Sequence, residues 1–179
     1  MLDWTVVATT REHGYDRGWQ LLEQFGQVSR TDYFNVLLLE PDEPETFLDR
    51  FGAMVRNVPQ VMESLSRVMP ATDRFTFEGA EDFEAQAREI VRGWAPRLRG
   101  KSFHVRMHRR GFKGKLSSQQ EERFLDEALL DELETQGVPG RIDFEDPDAV
   151  IDVETVDNRA GMSFWTREDL KRYPFLKVD

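Results

Sequence analysis

His104 and His108 lie four residues apart in KSFHVRMHRRGFKGK, residues 101–115, and are the residue type of a zinc site. Lys101, Arg106, Arg109, Arg110, Lys113 and Lys115 surround them and are the types that grip phosphate. Local conformation decides between the two chemistries. On a helix, histidines four apart sit one turn apart and can share a zinc, whereas on a strand they are separated by about 13 Å. Zinc ligands bind at roughly 2 Å and so lie within about 4 Å of each other. Residues 102–110 alternate, with Phe103, Val105 and Met107 on one side and His104, Arg106, His108 and Arg110 on the other, the period of a half-buried strand. The pair therefore cannot chelate. It is left on a cationic strand face, where imidazoles donate to phosphate or stack on a base.

The charge distribution points to an anionic partner. The chain has a formal net charge of −10, yet residues 88–115 hold 10 Lys and Arg against 1 acid, while the segments on either side are acidic. A block of this density is a site for a polyanion, and acidic flanks discourage binding elsewhere. The alternative is that these cations pair with the acidic flanks across the fold. Lys113 and Lys115 also precede an expected helix start, where unsatisfied N–H groups favour an anion. Gly111-Phe-Lys-Gly114 has the GxxG spacing of a backbone clamp, but it follows a strand and precedes a capped helix, as an ordinary glycine turn does.

Other chemistries find little support. With no cysteine there is no disulfide, thiolate metal site or cysteine nucleophile. Phosphate-cradling, dinucleotide-binding and serine-nucleophile motifs are missing. Asp143, Glu145, Asp146, Asp148, Asp152 and Glu154 could assemble a magnesium site or an acid/base pair, but a solvated turn and strand face is the expected role. Phe112 and Trp165 could stack on bases and are expected instead in the core. No catalytic residue, cofactor or metal is assigned. No segment approaches the roughly 20 apolar residues of a membrane-spanning helix, and a cytoplasmic protein is expected.

These residues must be positioned by two units. In residues 1–70, a strand at 4–9, a helix at 15–25, a strand at 33–39, a helix containing Phe47, Phe51, Met54 and Val55, and a strand at 61–68 give a ferredoxin-like β-α-β-α-β order. Residues 71–179 start afresh after a polar turn. A helix at 81–95 carries Phe83, Ala87, Ile90, Val91 and Trp94 on one face, and the basic strand follows. Ser118-Gln-Gln-Glu121 reads as a capping box opening the next helix. Strands at 141–144, 149–155 and 161–165 and a short helix at 167–173 complete an α+β chain.

The order of these pieces resembles a known module. Phe103-His-Val-Arg106 with Arg109-Arg110-Gly111, Ser118 opening a helix, Asp143-Phe-Glu-Asp-Pro-Asp148, Val150-Ile-Asp-Val-Glu154 and the closing GMSFW are similar to the THUMP domain, an RNA-binding module of tRNA modification. The resemblance covers about residues 71–176 and implies a THUMP-type α/β domain after the first unit. TVVATTREHGYDRGWQLLEQFGQV, YFNVLLLE, SLSRVMP and LKRYPFLKVD are similar to segments of the stand-alone THUMP accessory proteins that assist the tRNA cytidine acetyltransferase. The resemblance implies a non-catalytic adaptor whose partners are tRNA and a modifying enzyme such as a cytidine acetyltransferase. It also implies that Arg106, Arg109, Arg110 and Lys113 approach the tRNA near its 3′ acceptor end. A module that docks an acidic protein through the same strip is the competing expectation.

Overall fold

The computed structural model describes residues 4–178, which divide into two compact units. The first comprises residues 4–71 and Tyr173–Lys177, so the closing segment, expected in the second unit, joins the first. It runs β1 (Val6–Thr10), α1 (Tyr15–Glu23), β2 (Gly26–Arg30), β3 (Val36–Pro41), α2 (Pro44–Asn57) and β4 (Leu65–Pro70). The strands lie in the order β2-β3-β1-β4, all antiparallel, which gives the ferredoxin-like arrangement one strand more than expected. The added strand is β2, whose sequence GQVSR has one buried apolar residue, Val28. A Cβ at Gly26 would come within 2.8 Å of the Pro41 Cα, so the β2–β3 contact needs glycine there. The expected strand at 61–68 begins instead as a 3-10 turn, Pro59–Glu63, and β4 follows it. Phe25, Phe47 and Phe51 pack with ring centroids 5.4–5.7 Å apart, and Phe175 adds an edge contact to Phe51 at 4.8 Å.

The second unit, Thr72–Arg172 with Val178, runs β5 (Asp73–Thr76), α3 (Ala80–Trp94), β6 (Ser102–His108), α4 (Ser118–Thr135), β7 (Arg141–Ile142), β8 (Ala149–Val156), β9 (Arg159–Thr166) and α5 (Arg167–Arg172). The sheet order is β5-β9-β8-β6-β7, with β6 parallel to β7 and β8 and the other pairs antiparallel. Strand β5 lies where a polar turn was expected, since DRFT alternates half-buried and exposed residues.

Helix α3 begins with Glu81 and Asp82 and ends near Arg92, charges that complement its dipole. Its buried face, Phe83, Ala87 and Val91, meets Leu125, Leu129 and Leu133 of α4 over Phe103, Val105, Ile151, Val153 and Met162 of the sheet. Each large apolar side chain buried this way contributes roughly 1.5–3 kcal/mol. The N-cap of α4 is Ser117, whose Oγ accepts from Gln120 N at 3.3 Å, one residue earlier than the expected Ser118. Glu121, expected to close the box with Ser118, is buried.

Candidate nucleic-acid interface

The two histidines part company as strand geometry requires. On β6, Phe103, Val105 and Met107 enter the core, and His104, Arg106 and His108 share the other face. The His104 ring lies 5.7 Å from that of Phe144, whereas His108 Nδ1 is 3.3 Å from Asp152 Oδ1 and 3.0 Å from Glu154 Oε2. Burial holds the His104 imidazole below its ordinary pKa.

This strand face is not the open cationic surface that alternation suggests. His104 is 5% exposed, and Asp152 and Glu154, expected in solvent, are 0% and 1% exposed. The reason is the parallel register. Arg106 pairs with Asp152 and His108 with Glu154, so the cations of β6 lie beside the carboxylates of β8 on one face. Arg110 Nη1 reaches Glu154 Oε1 at 3.1 Å. Buried carboxylates require such partners, because an uncompensated charge out of water costs several kcal/mol. His108, Asp152 and Glu154 bring ligand atoms within 4.8 Å of one another, a separation that suits a metal ion. The guanidinium on Glu154 makes the group a paired charge network instead.

The acidic turn is likewise structural. Asp143 Oδ1 accepts from the backbone of Glu145 and Asp146 at 2.9 and 3.1 Å. Asp148 Oδ2 accepts from Ser102 N and Oγ at 2.9 and 3.1 Å, and Arg167 reaches both Asp146 and Asp148. Backbone N–H groups therefore hold the Asp143 and Asp148 carboxyls below their ordinary pKa.

Apart from Arg88 and Arg92 on α3, the open cations of the block lie at the two ends of β6. Beyond its C-terminal end, Gly111, Phe112 and Gly114 all take positive φ, and Lys115 N and Leu116 N both donate to Phe112 O at 2.9 Å. Arg110 N donates to Thr155 O, and Asp157 N donates to Arg110 O, which ties the loop to the end of β8. Phe112 packs against Phe77, centroids 5.0 Å apart, and is partly buried at the margin of the core it was expected to enter. Trp165 is also buried and donates to Ser163 Oγ at 2.8 Å.

Arg109, Lys115, Ser117 and Ser118 line a polar cleft of about 490 Å³ at the start of α4. Its first-turn N–H groups add partial positive charge there. Lys113 and Lys115 are exposed, and the Arg109 guanidinium is folded back onto Gly111 O. At the other end of β6, exposed Lys101 lines a second cleft with Arg97 and Arg99, of about 370 Å³. The Arg97 guanidinium sits 3.9 Å above the Phe164 ring. Arg106 lies between these ends, held by its Nε to Val178 O at 3.1 Å and near Glu122 at 3.8 Å. Arg92 on α3 is engaged by Glu89 and Glu132.

The basic block is thus split into two patches by a strand whose own charges are partly compensated. Sequence reasoning did not single out Arg97, Arg99, Phe144, or the α4 carboxylates Glu122 and Asp126. The available signal was the i, i+4 spacing of those two acids beside the buried Leu125 and Leu129.

The sequence profile described as THUMP domain matches residues 78–164. No curated protein matches the chain in sequence. In fold the chain is similar to the crystal structure of PH1313 from Pyrococcus horikoshii Ot3, at TM-score 0.59 and 12% identity, covering 91% of this chain and 55% of that one. It is similar to TrmN from Thermus thermophilus at TM-score 0.55 and 17% identity, covering 89% and 44%. A 4-thiouridine synthetase, solved as an RNA complex with bound ATP, matches at TM-score 0.54 and 13% identity, covering 92% and 42%. The chain spans about half the length of these structures, or less. Among the described residues no helix is long and apolar enough to cross a membrane.

Proposed function

Residues 78–164 form a THUMP domain, and from that premise we propose that the protein binds tRNA through the patches at the ends of β6 and presents it to a modifying enzyme. The observation that carries this reading is the cleft where Arg109 and Lys115 converge with the N-terminus of α4, a cradle for backbone phosphate. Lys113 lies beside it, and Lys101 belongs to the patch at the other end of β6. Arg106 stands between the patches, while His104, His108 and Arg110 act from beneath by fixing the strand. Contacts of this type give affinity and salt dependence and leave sequence choice to other features.

The protein acts as an adaptor, and the side chains that could do chemistry favour this. His108, Asp152 and Glu154 are committed to one another and to Arg110, and Asp143 and Asp148 to backbone N–H groups. Resemblance to the stand-alone THUMP accessory proteins supports cytidine acetylation as the reaction served and the 3′ acceptor end as the part of the tRNA approached. The similarly folded 4-thiouridine synthetase was solved with RNA, which accords with an RNA partner.

Titration with intact tRNA and with tRNA lacking its 3′ end, at several salt concentrations, tests the reading. Binding should weaken steeply with salt, and Arg109→Ala with Lys115→Ala should weaken it further. Absence of binding at low salt, or a protein partner that survives nuclease with no RNA bound, would overturn it in favour of an acidic protein partner.

A further inference from the structure

Phe144, on the turn between β7 and β8, is 73% exposed, and its ring stands tilted against that of His104. His104 is almost fully buried, and its Nδ1 is buried without a hydrogen-bond partner. The two rings help wall a cavity of about 520 Å³, to which Val150 and Val178 give apolar surface, Arg106 and Lys171 positive charge, and Glu145 a carboxylate. That volume lies within the range of small-molecule sites, about 300–1,000 Å³. A suitable occupant has a flat apolar face for Phe144, a polar edge and an anionic group for Arg106 and Lys171. Burial holds the imidazole below its ordinary pKa, so it adds no further positive charge beside Arg106 and Lys171.

We infer that this cavity binds one unpaired nucleotide, with its base stacked on Phe144 beside His104 and its phosphate directed to Arg106 and Lys171. The carboxylate of Glu145 gives it a preference. Cytosine and adenine carry an exocyclic amino group that donates to a carboxylate, whereas uracil presents a carbonyl at that position. The site differs from the phosphate cradle at α4, which contains none of these side chains. The nucleotide is supplied either by a single-stranded stretch of a bound RNA or as a free molecule, and the chemistry of recognition is the same.

Calorimetric titration with CMP, UMP, pentacytidylate and pentauridylate distinguishes these cases, on the unaltered protein and on Phe144→Ala. Because Phe144 is mostly exposed, the variant should fold, and an unchanged melting temperature verifies this. CMP should bind several-fold more tightly than UMP, and Phe144→Ala should weaken CMP and pentacytidylate about tenfold or more, as loss of a base–aromatic stack does. Pentacytidylate at least tenfold tighter than CMP, with both lost in the variant, identifies an RNA segment as the source. Equal affinities identify a free nucleotide. No binding of CMP or pentacytidylate at millimolar concentration, or binding unchanged by Phe144→Ala, overturns the inference. A protein that still binds tRNA through Arg109 and Lys115 in that event loses only this cavity, while nucleotide binding without tRNA binding removes the adaptor reading and keeps the cavity.

Discussion

Asp126 of α4 accepts the backbone N–H of Val105 on β6 at 2.9 Å, across 21 residues of sequence and entirely within the interior. One turn earlier, Glu122 accepts from Met107 N at 2.9 Å. Strand β7 pairs with β6 only at Ser102 and Phe103, so among the described residues the rest of that edge has no neighbouring strand. Two carboxylates spaced i, i+4 on a helix therefore serve alternate amides of a strand and stand in for the missing ladder. Asp126→Ala should destabilise the protein by about 1–3 kcal/mol, the cost of a buried amide left unsatisfied. Asp126→Asn keeps a carbonyl acceptor and should cost much less, as chemical denaturation of the two variants will show.

Burial pushes the Asp126 carboxyl up to about 7, against an ordinary value of 3.8. Burial, with the Glu84 carboxyl beside it, pushes Glu121 up to about 8 from 4.5. Both folded-state values are raised, so across these windows the folded protein binds protons that the unfolded chain has released. The stability contributed is present below the unfolded values and is lost as pH rises through about 7 and 8. Melting temperatures should fall between pH 5 and about 8.5 through these two groups. Asp126→Asn with Glu121→Gln should flatten that slope.

Arg110 and Lys113 differ in role despite their proximity in sequence. Arg110→Ala leaves Glu154 buried without its guanidinium and should destabilise by about 3–5 kcal/mol, with loss of RNA binding following loss of fold. Lys113→Ala, on an exposed side chain, should leave stability within about 0.5 kcal/mol and lower only RNA affinity. Paired melting and binding measurements separate the two.

The logarithm of tRNA affinity should fall linearly with the logarithm of salt concentration. Replacing Arg109 or Lys115 by Gln should reduce the slope by roughly 0.9 for each phosphate contact removed, or 0.7 on single strands. Affinity should also fall similarly for different tRNA sequences, since phosphate contacts carry no base information.

Much of this architecture was legible in the sequence because periodicity reports burial. The alternation of Phe103, Val105 and Met107 located β6, and the stripe through Leu125, Leu129 and Leu133 located α4. What periodicity could not report was pairing. Asp152 and Glu154 have the pattern of a wet strand face, and only the parallel register that sets them beside Arg106 and His108 makes their burial tolerable. Strand β2 was hidden for a related reason, since GQVSR is held by backbone bonding to β3 more than by its side chains. The capping residue was misplaced by one because Ser117 and Ser118 are adjacent and each has an amide or acid three positions on.

The division of the basic block has a consequence for the size of ligand it can hold. Lys101 and Arg109 lie at opposite ends of a strand, and eight residues of extended chain separate them by about 25 Å. Each patch holds three of the block's cations, Arg97, Arg99 and Lys101 at one end and Arg109, Lys113 and Lys115 at the other. A polymer long enough to touch both makes its second contact intramolecularly, at an effective concentration set by its own stiffness rather than by its abundance. Affinity for a polyanion should therefore rise abruptly once the ligand is long enough to bridge that gap.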